Sequence, residues 1–227
     1  KECYLTLPHI FRTHAIGFFR TYRSCLEQAG FDGLLIRAFE EIQWMREEQI
    51  SLSASFDASV YAWNHGAVHT LKEEQAAFIT APWELNSREL EPVFEACRRE
   101  GLPAELIVYG RAPMMVSAQC ITKTVKGCSK CPSLLWMKDR TGARLPVQNH
   151  CAFCYNTILN PLPVSLHGCA DSVKRLAPEG LRLCFTIETG EETKAVLNAF
   201  AAEFIRGENA EPPFTEFTRG HFRRGVE

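Results

Sequence analysis

Residues 77–109, AFITAPWELNSRELEPVFEACRREGLPAELIVY, decide how this chain is read. Ala77-Phe-Ile-Thr80 is a short apolar run of the kind a buried strand shows. Asn86 followed three residues later by Glu89 forms a capping box, the clearest helix start in the sequence. Leu90, Val93, Phe94 and Cys97 then fall on one helical face, and Gly101 supplies a stop. Glu105-Leu-Ile-Val-Tyr109 is a second strand. Strand, helix and strand in that order make a βα unit on a parallel sheet.

The same rhythm runs upstream. Cys3 to Leu7 is strand-like, and Ile16, Phe19, Tyr22, Leu26 and Ala29 predict one helix ended by Gly30. Gly33 to Arg37 is the next strand, with a short helix through Phe39, Ile42 and Met45. Ile50 to Ser55 reads as a third strand, followed by a helical stretch over 58–71. Five short strands separated by helices predict an α/β chain with a (β/α) TIM-barrel-like fold, as a partial barrel. No Gly-x-Gly-x-x-Gly follows a strand, so a dinucleotide site has no signal.

Downstream the pattern breaks. Leu134 to Lys138 and Ala143 to Val147 flank Asp139-Arg-Thr-Gly142, whose glycine offers hairpin chemistry. The rhythm resumes with Leu181 to Ile187. A last helix is capped by Thr189 and Glu192 and carries Val196, Leu197, Phe200 and Phe204. Four regions follow: barrel βα units over 1–110, a Cys-rich insert with a β-hairpin over 111–163, a remaining βα unit over 164–207, and an extended tail over 208–227.

The chain has 227 residues, 46% hydrophobic and 23% charged, which excludes a disordered or collagenous polymer. A formal charge of −2 gives no global electrostatic footprint for nucleic acid or for a membrane surface. No apolar run reaches spanning length, and the charged start at Lys1 and Glu2 is not a signal peptide. A cytoplasmic chain without a membrane partner is the expectation. It opens directly on a strand without Met, which reads as a piece of a longer polypeptide. An upstream barrel and other domains of that polypeptide are then expected partners. A barrel lacking strands has open edges, so insert and tail, or a homodimer, are expected to cover them.

Five of the ten cysteines crowd into the insert as Cys120-x7-Cys128-x2-Cys131-x19-Cys151-x2-Cys154. Paired Cys-x-x-Cys knuckles on either side of a hairpin can turn four thiolates toward one ion, which is zinc-ribbon spacing. Thiolate ligation also suits an iron–sulfur cluster if Cys120 takes part. Cys3, Cys25, Cys97, Cys169 and Cys184 read instead as buried apolar residues.

In a barrel, functional groups sit at the C-terminal ends of strands. Those positions offer Arg37, Glu40, Asp57, Tyr61, Asn64, Glu84, Asn86, Tyr109 and Arg111. Arg37 and Arg111 suit carboxylate or phosphate clamps, and Glu40, Asp57 or Glu84 suit general acid–base work. Asn86 is accounted for as a helix cap. His65 and His69 are four apart on a helix but lack the Glu of an His-Glu-x-x-His site, and His150 adjoins Cys151.

The run Glu105-Leu-Ile-Val-Tyr-Gly-Arg-Ala-Pro-Met-Met-Val-Ser-Ala-Gln-Cys120 resembles peptidase family U32. Gly127-Cys128, Asp139-Arg140, Leu145 to Val147 and Ile158 to Asn160 continue the resemblance, as does the closing run from Phe217 to Glu227. It implies a TIM-barrel-like fold of which this chain is the C-terminal portion. It also implies either a collagenase-like peptidase (a hydrolase) or peptide-binding domain with a structural zinc, or a module for hydroxylation of RNA or a small aromatic compound. The latter goes with a [4Fe-4S] cluster on Cys120, on Cys128 or Cys131, and on Cys151 or Cys154. One departure stands out: Pro113 occupies a position where many relatives carry a further cysteine.

Overall fold

The computed structural model describes residues 1–128, 130 and 132–225. The first half alternates strands with helices, two of them between β1 and β2: β1 (Tyr4–Thr6), α1 (Thr13–Thr21), α2 (Arg23–Gln28), β2 (Gly33–Ile36), α3 (Phe39–Glu47), β3 (Ser53–Phe56), α4 (His65–Glu73), β4 (Ile79–Thr80), α5 (Ser87–Glu100) and β5 (Ala104–Gly110). The insert holds β6 (Pro113–Ser117), α6 (Ile121–Lys126), β7 (Leu134–Lys138), β8 (Arg144–His150) and β9 (Tyr155–Leu159). β10 (Val164–Ser165), α7 (Ala170–Leu176), β11 (Gly180–Cys184) and α8 (Gly190–Phe200) follow, with a π turn over Ala201–Arg206.

Strands β1 to β5 pair in parallel in chain order, and β11 adds to β5 in parallel, Leu106 facing Leu181. Six parallel strands in consecutive order form a partial (β/α) barrel, as the sequence predicts. β10 runs antiparallel on β5, placing Ser165 opposite Tyr109. The strands carry much of the core, with Leu34, Ile36, Phe56, Ile79 and Val108 buried, and admit polar side chains such as Ser55, Thr80, Glu105 and Arg182. Helix α5 locks onto them through Leu90, Val93, Phe94 and Cys97, all buried. Asn86 Oδ1 accepts from the Arg88 and Glu89 amides, Glu89 Oε2 accepts from the Asn86 amide, and Gly101 closes the helix at φ 59°.

Three local departures have physical causes. The helix predicted through residue 29 is two, joined at Tyr22, whose φ of −102° and ψ of 18° leave the helical basin. β3 starts at Ser53 rather than Ile50, because Gln49 at φ 53° and the Ile50 amide bonded to Met45 O are still ending α3. The stretch predicted helical over 58–71 is a 3-10 turn, a left-handed Tyr61 at φ 60°, and α4 capped by Asn64.

The insert folds as a four-stranded antiparallel sheet in the order β6-β9-β8-β7. The expected hairpin is β7–β8, with Leu135 opposite Val147 and Met137 opposite Leu145. Asp139 Oδ1 accepts from the Thr141 and Ala143 amides, and Gly142 takes φ 93°. Sequence periodicity did not announce β9, because Asn156 and Thr157 are buried within it; Asn156 Nδ2 donates to Gln119 O at 2.9 Å.

Among the described residues the tail has no regular element but is folded back. Thr218 bridges Val164, Arg219 donates to Ser165 O, Phe214 stacks on Tyr109, and Phe222 is buried. Of the five cysteines read as buried apolar residues, Cys97 and Cys169 are buried and Cys184 is half-buried. Cys3 and Cys25 are exposed, a correction: Cys3 precedes the first strand, and Cys25 lies on the solvent side of α2.

Candidate functional site

The chain leaves each parallel strand at the same end of the sheet, and the insert sheet lies over that end. Between them is a cavity of about 320 Å³. Its floor collects one strand-end group after another: His9 beyond β1, Arg37 beyond β2, Asp57 beyond β3, Trp83 and Glu84 beyond β4, Arg111 beyond β5, and Cys184 at the end of β11. Its other wall is the insert, through Met114, Met115 and Val116 of β6, Gln148 and His150 of β8, and Thr157 and Leu159 of β9.

Gly110 permits the junction. Its φ is 148°, and a Cβ there would lie 2.6 Å from Cys184 Cβ, so only glycine lets β11 approach as the chain turns into the insert. Arg111 then ties the insert down: its NH1 donates to the carbonyls of Asn160 and Pro161, and its Nε faces Glu188 Oε1 at 3.9 Å.

The floor is a charge network. Asp57 Oδ2 accepts from Arg37 Nε at 2.8 Å and Asp57 Oδ1 from Arg182 NH1 at 3.1 Å. Arg182 NH1 also donates to Thr80 Oγ1 and Glu105 Oε1, and the Thr80 hydroxyl donates to Glu105 at 2.7 Å. Burial pushes the Asp57 carboxyl up, but the Arg182 and Arg37 charges outweigh it and hold Asp57 below the usual carboxylate range. Burial raises the Cys184 thiol to about 11, so it stays protonated at neutral pH although Arg182 opposes the shift.

Burial and Arg37 lower His9 to about 4 and also lower His150, so the cavity's imidazoles are neutral at pH 7. His150 stacks on Tyr155 at 4.3 Å and meets Thr157 Oγ1 at 3.2 Å. Burial raises Glu84, and its buried Oε2 has no hydrogen-bond partner among the described residues. Gln148 Nε2 donates to Thr186 O at 3.1 Å, which fixes its amide. The cavity thus offers one underused carboxyl, fixed guanidinium and amide groups, and aromatic and thioether surface.

Of the sequence candidates, Arg37, Asp57, Tyr61, Glu84, Arg111 and His150 line this cavity. Glu40 does not; it is exposed in the first turn of α3. Its neighbour Glu41 is fully buried, accepts from the Arg37 and Ala38 amides, and is raised to about 8 by burial. Asn64 and Asn86 are helix caps, Tyr109 donates to Glu188, and His69 sits exposed between Glu73 and Glu100. Sequence reasoning missed His9, Trp83, Gln148, Arg182 and Cys184. Strand-end position marks His9 and Trp83, whereas the others depend on long-range pairing.

The described insert cysteines lie elsewhere. Asn149 alternates with the cavity-lining Gln148 and His150, so it projects from the opposite face of β8. There its Oδ1 receives the Cys120 thiol at 3.9 Å and the Cys151 thiol at 3.5 Å, while its Nδ2 donates to Thr122 of α6. The Cys154 thiol points at Cys151 O at 3.9 Å, and Cys128 is exposed beyond α6. Cys131 lies outside the described residues. Among the described residues, no three His, Cys, Asp or Glu side chains are grouped as metal ligands. No helix of the described residues is long and apolar enough to cross a membrane.

The profile of peptidase family U32 matches residues 1–160. No curated protein matches. Among solved structures, the crystal structure of a chitinase from Chromobacterium violaceum ATCC 12472 is 9% identical, covering 91% of this chain and 98% of that one. Its TM-score is 0.31.

Proposed function

The chain belongs to peptidase family U32, and from that premise we propose that it is an enzyme domain that modifies a planar substrate, an RNA base or a small aromatic compound, by hydroxylation-type chemistry in which an external oxygen-donating co-substrate gives up one oxygen atom and takes the two electrons. The cavity between the half-barrel and the insert sheet carries this reading. At about 320 Å³ it suits a single heteroaromatic ring better than an extended peptide. Tyr61 and Trp83 offer faces for stacking, and Arg111 and Gln148 offer fixed hydrogen-bonding groups for a base edge. Glu84 is the group that holds or moves a proton at its Oε2. A peptidase reading rests on the family name; the cavity's thiol is protonated at neutral pH, which tells against a thiolate nucleophile there.

The insert cysteines suit a thiolate-held group. Cys120 and Cys151 already converge on one oxygen atom, and a soft donor set fits [4Fe-4S] or zinc equally. Four of Cys120, Cys128, Cys131, Cys151 and Cys154 would hold it. A cluster supplies electron transfer when bound, whereas zinc braces the insert. Such a site stands behind the insert sheet, separated from the cavity by β8. The outer strands β1 and β11 are where the rest of a longer polypeptide, or a second copy, would complete the barrel. We place the protein in the cytoplasm, where thiols stay reduced.

Nucleoside mass spectrometry on RNA from cells with and without the gene tests the reading. One nucleoside heavier by a single oxygen is expected only when the gene is present. An unchanged nucleoside profile, together with peptide cleavage by colourless protein containing one zinc per chain, overturns it in favour of the peptidase.

A further inference from the structure

We propose that the cavity-facing side of the insert hairpin is a docking strip for single-stranded RNA that flanks the base held in the cavity. This rests on the base-modifying reading above. The chain's net charge of −2 conceals a strong segregation. Residues 111–160 contain seven basic residues and one acidic residue, Asp139, while the remainder has eighteen basic against twenty-six acidic. Lys138, Arg140 and Arg144 of the hairpin are exposed and make no ion pair among the described residues.

Register puts aromatic surface and charge on the face that leads out of the cavity. Leu134, Trp136 and Lys138 stand opposite Gln148, Pro146 and Arg144, and opposed residues of an antiparallel pair share a face. Gln148 lines the cavity. From it the same face continues to Trp136, then to Lys138 and Arg144, a path of ~13 Å along β8. Trp136 is 47% exposed and Leu134 44%, too much for a hairpin with no partner to cover it. Arg144 Cζ sits 5.0 Å over the Trp136 ring, holding a guanidinium and an indole as one platform. Stacking surface interleaved with phosphate-pairing cations is how single strands are bound without reading sequence. Lys123 and Lys126 belong to α6 behind the sheet and are not part of the strip.

The test is fluorescence anisotropy of the full chain with a short labelled single-stranded RNA of mixed sequence, at several salt concentrations. The pair Lys138→Glu and Arg144→Glu is expected to weaken binding about 10-fold or more and to flatten the salt dependence by a slope of about 1.4, two phosphates' worth on a single strand. Trp136→Ala is expected to weaken binding at every salt concentration, and Trp136→Phe to restore most of it. All three side chains are exposed, so unfolding midpoints should match the parent and serve as the folding control. Variants that bind RNA within about twofold of the parent, or a parent that binds an acidic polypeptide but no RNA, overturn the proposal. Loss of binding in strip variants, with RNA nucleosides unchanged by gene deletion, leaves the strip standing and removes the base-modifying reading. A nucleoside lost on deletion, with strip variants binding normally, removes the strip alone.

Discussion

The half-barrel and the insert sheet are built on opposite terms. Strands β1 to β5 of the half-barrel follow one another locally, bury much of the core, and carry helices such as α5 whose cap is written in the sequence. In the insert, β9 is buried throughout, but β7 is mostly exposed and α6 contributes no buried residue. One region spends its side chains on packing. The other holds thiols on one face and cavity walls, cations and aromatics on the other. Both regions meet at one cavity, to which the half-barrel contributes strand ends and the insert one wall.

This contrast can be broken by mutation. The largest effect is expected from Phe94→Ala, which empties a buried ring position between α5 and the sheet. About 3–5 kcal/mol of stability should be lost, read by denaturant unfolding. A loss under about 1 kcal/mol would mean that the half-barrel is not the stable partner.

Glu41→Gln comes next. Burial holds the proton on Glu41 and raises it from the ordinary 4.5 to about 8, with Oε1 buried and unpartnered among the described residues. Below pH 4.5 the carboxyl is neutral in both folded and unfolded chains. As pH rises from 4.5 to about 8 the unfolded chain ionises first, and stability falls by about 1.4 kcal/mol per unit at most. The Gln variant should lack this slope; unfolding curves across that window check it, and equal slopes would refute the burial account.

Smaller again, Asn86→Ala should cost about 1 kcal/mol by removing the α5 cap. Smallest is Trp136→Ala on the exposed hairpin, expected within about 0.5 kcal/mol of the parent. A large loss there would show that the insert hairpin packs against something and erase the contrast.

The half-barrel was legible in the sequence because its signals are local. A run such as Gly33 to Arg37 and the caps at Asn86 and Thr189 declare themselves within a few residues. The turn at Gly142 did the same for the hairpin. Part of the cavity was legible too, since Arg37, Asp57, Glu84 and Arg111 sit where parallel strands end. Arg182 and Cys184 were not, because their place follows from β11 pairing with β5 some 75 residues earlier. Glu40 and Glu41 differ by one position, yet helical phase sends one to solvent and the other inward. Cysteine spacing was plain, but which side of the sheet Cys120 and Cys151 occupy depends on the pleat at Gln148 and Asn149.

We propose that chemistry happens in the cavity between the two sheets, with Glu84 as its proton-handling group. Glu84→Gln keeps the shape and removes the titration, so it isolates that role. Nucleoside mass spectrometry on RNA from cells whose only copy carries Glu84→Gln should show the oxygenated nucleoside lost or reduced about 100-fold or more, with protein abundance unchanged. A nucleoside profile identical to that of the parent would contradict the account.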